Sequence, residues 1–364
     1  MGDTGLYPDG RSGRDRFVLE RRGPRPVHDP WRHQGLIVED ERDADGGLAR
    51  IATVLITGRE CPWRCAMCDL WRYTIDSDTP RGAIPAQITA ARAAMREQKA
   101  AVTGMKLYNA GSFFDPRAVP DADYDDVAAA LSGLSRVVVE SHPALVGPRV
   151  DRFLASLDRR PGTTPPPRLE VAMGLETAHP AALDRLNKGF TLDDFRQAAG
   201  ALADRGVALR VFLLIAPPFV PVSDQDAWLL RSIDAAFDCG AIVISLIPTR
   251  SGNGAMEALA EAGAFRAPTL DDVERSLAIA LTHAARSARG RVFVDLWDLD
   301  RFEACPHCFD ARRERLHAMN LEQRVLPPTR CPAGTHPEHL EHPEHPEHPE
   351  HLEHPEHPEH SWLR

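Results

Sequence analysis

The chain has 364 residues and a formal charge of −10, with 43% hydrophobic residues, enough for one large core or two small ones. No run approaches the roughly 18 consecutive apolar residues of a membrane span, and the charged first 25 residues hold no apolar signal core, which excludes the membrane class and points to a cytoplasmic protein with reduced thiols. The repeat from His336 to Arg364 carries eight Glu and one Arg, which leaves the rest at only −3 and excludes a globally basic nucleic-acid binder, though not a local basic patch.

Taken in order, residues 1–35 read as a flexible arm dominated by Gly, Asp and Arg. Residues 35–40 read as a short strand, and the apolar run 51–56 as a buried one. Helical spacing follows over 85–100, then strand 105–109, helix 124–134, strand 136–140, helix 149–157 and strand 169–174. Helices over 180–186 and 192–205, strand 208–215, helix 224–237, strand 241–247, helix 270–288 and a last strand over 291–296 complete the series. Continuous apolar strands alternating with helices mean an α/β parallel sheet covered on both faces, either doubly wound or curled into a barrel. Polar residues gather where strands end, at Asn109, Ser112, Glu140, Glu176, Thr249 and Arg250, and in α/β barrels that face carries the chemistry.

Cys61, Cys65 and Cys68 stand in a C-x3-C-x2-C array directly after strand 51–56. A closed structural zinc site takes four ligands, as does a [4Fe–4S] cube bound by protein alone. Three thiolates on a cube leave one iron open to a substrate or cofactor. The competing reading is a three-cysteine zinc knuckle completed by a distant His, or reduced buried thiols.

The array in this place resembles the radical S-adenosylmethionine (radical SAM) superfamily. That resemblance implies that Cys61, Cys65 and Cys68 hold a [4Fe–4S] cluster. Its open iron would chelate S-adenosylmethionine, and an electron from an external donor would release a 5′-deoxyadenosyl radical. It also favours the partial (β/α)6 TIM-like barrel of that superfamily over an open sheet. Met67 departs from the aromatic residue often found before the third cysteine; a thioether can still pack on a ring face. The loop from Asn109 through Gly111 and Ser112 lies where the superfamily binds the methionine amino group of the cofactor. Glu140 and Glu176, each ending a strand, are further candidates for seating it. Lys188, in Asn187-Lys188-Gly189-Phe190, can meet a carboxylate or phosphate, with a solvated lysine as the plainer expectation.

Across residues 36–330 the motifs are similar to the archaeosine synthase radical SAM subunit and, more distantly, to the radical SAM core of the Elongator catalytic subunit. This implies a modified tRNA base as substrate and a partner enzyme subunit. The alternative within the class is a small metabolite or peptide substrate; the alternative outside it is a non-enzymatic zinc-binding protein.

Residues 36–300 are thus expected to form the radical SAM core and 301–335 a cysteine-containing extension. There Cys305, Cys308 and Cys331 are candidates for a second site holding zinc or an auxiliary Fe–S cluster, with His307 or His317 as fourth ligand. Arg312, Arg313 and Arg315 read as a basic helical face, available to tRNA phosphate or simply solvated. Cys239 reads as packing. Residues 336–364, a Pro/Leu-Glu-His repeat, read as a disordered tail.

Overall fold

The structure, a computed structural model, describes residues 7–109, 111–159, 166–302 and 304–332; the repeat tail and the first six residues lie outside them. A helix, α1 (Arg11–Glu20), precedes the sheet. β1 (Gly35–Arg42) and β2 (Leu48–Ile56) then form an antiparallel hairpin. From β2 onward every neighbour is parallel and the strands lie side by side in chain order: β3 (Gly104–Asn109), β4 (Arg136–Glu140), β5 (Arg168–Glu176), β6 (Ala208–Ile215), β7 (Ala241–Pro248) and β8 (Arg291–Val294).

Parallel neighbours need a crossover too long for a tight turn, and each crossing carries a helix. α2 (Ala83–Glu97) follows β2, α3 (Tyr124–Ala130) follows β3 and α4 (Pro148–Asp158) follows β4. α5 (Pro180–Arg185) and α6 (Leu192–Ala203) follow β5, α7 (Gln225–Asp238) follows β6, and α8 (Ala255–Glu261) and α9 (Leu270–Ser287) follow β7. Six β/α units therefore run from β2 to α9, the partial TIM-like barrel expected from the motifs, with β8 and α10 (Phe309–Glu322) after them. Val137, Val139, Val171, Met173, Val211 and Leu213 are fully buried in the main apolar core, which is why these strands read as unbroken apolar runs.

The sheet is curled, because side chains from distant strands meet inside it. Glu41 of β1 accepts hydrogen bonds from Arg136 of β4 at 2.7 Å and Arg210 of β6 at 2.8 Å, and pairs with Lys106 of β3 at 2.7 Å. Arg210, 1% exposed, also donates to Glu170 of β5 at 2.5 Å. Burial alone would raise the Glu41 pKa, yet Arg210, Lys106 and Arg136 together hold it well below the usual carboxylate range. These buried charges are tolerable only because each has a partner. They fill the barrel end opposite the mouth, so the open space lies at the strands' C-terminal ends.

The free edge of β8 is covered by α10. Asn320 accepts from Val294 N and donates to Val294 O, and Gln323 does the same for Val292, all at 2.8–2.9 Å. Two side-chain amides thus stand in for a ninth strand and block edge-to-edge pairing. Among the described residues no helix is long and apolar enough to cross a membrane.

Two expectations change here. The segment read as a loose arm holds α1, whose Phe17 and Val18 join Tyr7, Ala66, Met256, Leu259 and Phe265 in a satellite core. Average composition hid three apolar residues that converge on one side. Arg312 and Arg315 do not form a free basic face: Arg312, 4% exposed, pairs with Asp271 and Glu274 of α9, and Arg315 pairs with Glu274 at 3.1 Å. They bind α10 to α9, while Arg313 stays exposed.

Candidate active site

β2 delivers the chain to the barrel mouth and the cysteine loop begins five residues later. Cys61, Cys65 and Cys68 are free thiols there, and burial pushes each up to about 12. The loop has little regular structure, so its shape comes from hydrogen bonds to its backbone. Ala66 N donates to Leu186 O at 3.0 Å. Asn187 Nδ2 donates to Arg64 O at 2.8 Å, and also to Asp15 of α1. Asn253 Nδ2 donates to Ala66 O at 2.7 Å and Cys68 O at 3.2 Å, while its Oδ1 accepts from Met256 N. Carbonyls that would otherwise be orphaned are thereby satisfied.

A strap, residues 21–34, crosses behind this loop. Arg22 and Arg25 pair with the two oxygens of Glu60, the residue before Cys61, at 2.8 and 2.6 Å. Gln87, fully buried on α2, donates to Pro30 O and Thr57 O and accepts from Thr57 N. Sequence reasoning missed Glu60, Arg22, Asn187 and Asn253, whose partners are far along the chain.

Of the expected cofactor-seating residues, Gly111 and Ser112 follow β3, Glu140 ends β4 and Glu176 ends β5. The Asn109 side chain and Ala110 lie outside the described part. Ser112 is buried and its hydroxyl accepts from His142 N at 2.8 Å, so it ties the loop after β3 to the one after β4. Phe113 N donates to Glu140 O at 2.8 Å, reinforcing that tie. The Glu140 side chain is half-buried at the end of β4.

Lys188 is not a solvated lysine. It is 8% exposed and pairs with Glu176 at 2.5 Å. Burial opposes its charge, but Glu176 first and Cys65 next hold its pKa up. Glu176 sits at a bulge in β5 with φ +68°, a conformation that costs a non-glycine residue about 1–3 kcal/mol. A Cβ on Gly174 would come within 2.2 Å of Glu176 Oε1 and 2.8 Å of Lys188 Nζ, so the pair would have to shift to admit any larger residue there.

Trp63, inside the cysteine loop, stacks on His142 with ring centroids 3.4 Å apart and planes 11° from parallel. His142 Nε2 donates to Lys188 O at 2.9 Å and Nδ1 accepts from Ala144 N, which selects the Nε2–H neutral tautomer. Burial, aided by the Lys188 charge, lowers its pKa to about 3. An unfolded histidine titrates near 6.5, so the neutral ring stabilises the fold fully above that pH and the contribution is lost as pH falls toward 3. Between pH 7 and 5 this amounts to about 2 kcal/mol. Urea midpoints at the two pH values should show that loss in the wild type and a correspondingly smaller one in His142→Phe; equal losses would refute the assignment.

The second cysteine group assembles as expected. Cys305 and Cys331 sulfurs are 3.7 Å apart, and the three sulfurs of Cys305, Cys308 and Cys331 lie within 4.8 Å of one another. Neither His307 nor His317 brings a nitrogen within that distance. Among the described residues this is the one cluster so tightly drawn.

No family model matches the chain. In sequence it is similar to archaeosine synthase subunit beta of Methanosarcina acetivorans, 29% identical over 258 residues, 68% of this chain and 70% of that protein. In structure it is similar to the Elp3 of Methanocaldococcus infernus, with a TM-score of 0.46, 13% identity and cover of 64% of this chain and 57% of the other. Coproporphyrinogen III oxidase HemN of Escherichia coli, a radical SAM enzyme, gives a TM-score of 0.43 and 11% identity, over 63% and 52%. The chain thus spans little more than half of those two structures. The sequence similarity bears out the resemblance read from the motifs, and with it the reading of the chain as an enzyme.

Proposed function

We propose that the chain is a radical SAM enzyme in which Cys61, Cys65 and Cys68 hold a [4Fe–4S] cluster. The observation that carries this is the thiol set itself. It has three donors rather than four, all half-buried, none in a disulfide, and placed at the mouth of a partial α/β barrel. Burial pushes these thiols up, so a metal must displace their protons to bind. When bound, the cluster supplies the electron that cleaves S-adenosylmethionine.

This chain's own residues would seat the cofactor. Glu140 offers a carboxylate to the cofactor's ammonium, and Lys188 an ammonium to its carboxylate. Gly111 lets the backbone approach closely, and Asn109, Ser112 and Glu176 complete the rim. We place the substrate among modified tRNA bases, acted on with a partner subunit and an external electron donor. The support is the similarity to a protein named archaeosine synthase subunit beta. The test is anaerobic reconstitution with iron and sulfide, dithionite reduction and an assay for 5′-deoxyadenosine, beside titration with a tRNA transcript. Deoxyadenosine with saturable tRNA binding supports the whole reading. Deoxyadenosine without tRNA binding moves the substrate to a small molecule or peptide, and a chain that takes up no iron ends the reading.

For Cys305, Cys308 and Cys331 we propose zinc. A Zn–S bond of 2.3 Å and tetrahedral angles place sulfurs about 3.8 Å apart, which matches the 3.7 Å between Cys305 and Cys331. The purified chain should carry one zinc that a strong chelator removes. Cys308→Ser should lose that zinc while keeping full iron and sulfide after reconstitution. Loss of iron in parallel would argue for an auxiliary Fe–S cluster instead.

A further inference from the structure

The N-terminal strap places an arginine against the cysteine loop that the scheme above does not use. Arg22 lies between the two ends of that loop. Its Nη1 reaches Glu60, beside Cys61, at 2.8 Å, and its guanidinium carbon stands 4.9 Å from the ring centroid of Trp71, three residues past Cys68. The side chain is only 7% exposed and Trp71 only 2%.

Two donors here are unspent. Arg22 Nε and Trp71 Nε1 are both buried, and neither has a hydrogen-bond partner among the described residues. A buried N–H left unpaired costs about 1–3 kcal/mol. Two such groups on facing side chains, both flanking a metal loop, point to an acceptor that joins them there. Thiolate and sulfide are acceptors, and hydrogen bonds to sulfur together with local charge set the potential of an iron–sulfur cluster. Glu60 does not cancel this, because Arg25 and Arg64 also pair with it, leaving three cations to two carboxylates once Asp76, paired with Arg25, is counted.

We propose that Arg22 and Trp71 tune the cluster: their N–H groups and the Arg22 charge stabilise its reduced, more negative state. This rests on the cluster assigned above to Cys61, Cys65 and Cys68. It also gives the N-terminal strap a role beyond packing. Arg22 and Trp71 are positioning residues here, acting on the cluster's electron affinity and on no substrate.

The experiment is a redox titration of the reconstituted full chain, with iron and sulfide counted first, comparing wild type with Arg22→Gln, Arg22→Lys and Trp71→Phe. Arg22→Gln should keep its iron and lower the ratio of reduced to oxidised cluster at a fixed poise about tenfold, which for one electron is about 59 mV more negative. Arg22→Lys, which keeps the charge, should recover most of that. Trp71→Phe, which keeps a ring and loses the N–H, should move the ratio the same way by less. An unchanged ratio in Arg22→Gln overturns the inference. Should Arg22→Gln lose its iron, the ratio is read in Arg22→Gln with Glu60→Gln against Glu60→Gln alone, so that only the Arg22 charge differs, and the same two results decide. A wild-type chain that takes up no iron overturns the cluster reading itself, and is told apart by the iron count.

Discussion

Cys65→Ser is expected to leave the barrel folded and to abolish both cluster retention and deoxyadenosine formation. Serine fills nearly the same volume, so the packing around the loop survives, and the ties from Ala66 N to Leu186 O and from Asn187 to Arg64 O involve backbone atoms that the substitution leaves in place. What disappears is the soft thiolate, which an alkoxide of far higher pKa cannot replace at neutral pH. Iron and sulfide content after reconstitution should fall to background while the thermal midpoint without metal stays close to wild type. The comparison matters because a second cysteine group is present. Iron that persists undiminished in Cys65→Ser would have to sit on Cys305, Cys308 and Cys331, and the assignment of the first loop would be lost.

How much of this was readable in the sequence follows from how local each signal is. All eight strands were legible, since buried parallel strands are unbroken runs of Val, Ile and Leu. α10 was read only as a basic helical face, and its docking on β8 through the amides of Asn320 and Gln323, beside buried Leu316 and Met319, was not. α1 was hidden by the charge around Phe17 and Val18, and α8 spans only seven residues. The cysteine spacings were legible for the same reason as the strands: their meaning lies within eight residues. The residues that shape the loop were not. Asn187 adopts φ +62° after α5, and that turn carries its amide to Arg64 O, a contact no local spacing signals. Ser112 reads as a ligand contact and proves to be a tie between two loops. Lys188 read most plainly as solvated, because its partner Glu176 lies on a separate element that no local spacing points to.

That ammonium makes the second large prediction. Lys188→Met leaves Glu176 charged, enclosed and unpaired, at a cost of about 3–5 kcal/mol. It also removes the cation that most favours the thiolate of Cys65. Stability and activity should therefore both fall, and the single variant cannot say which loss causes which. The double variant Lys188→Met with Glu176→Gln separates them. It removes both charges at once, so most of the lost stability should return, seen as recovery of the urea midpoint with an unchanged slope. Deoxyadenosine formation should not return, because no ammonium remains to meet the cofactor's carboxylate. Gly174→Ala serves as a third arm: its methyl would crowd Glu176 and Lys188, so it should displace the pair and lower both stability and activity in the wild-type background. A double variant that regains activity along with stability would show that Lys188 only balances Glu176, and the seat for the cofactor's carboxylate would have to be sought elsewhere on the rim.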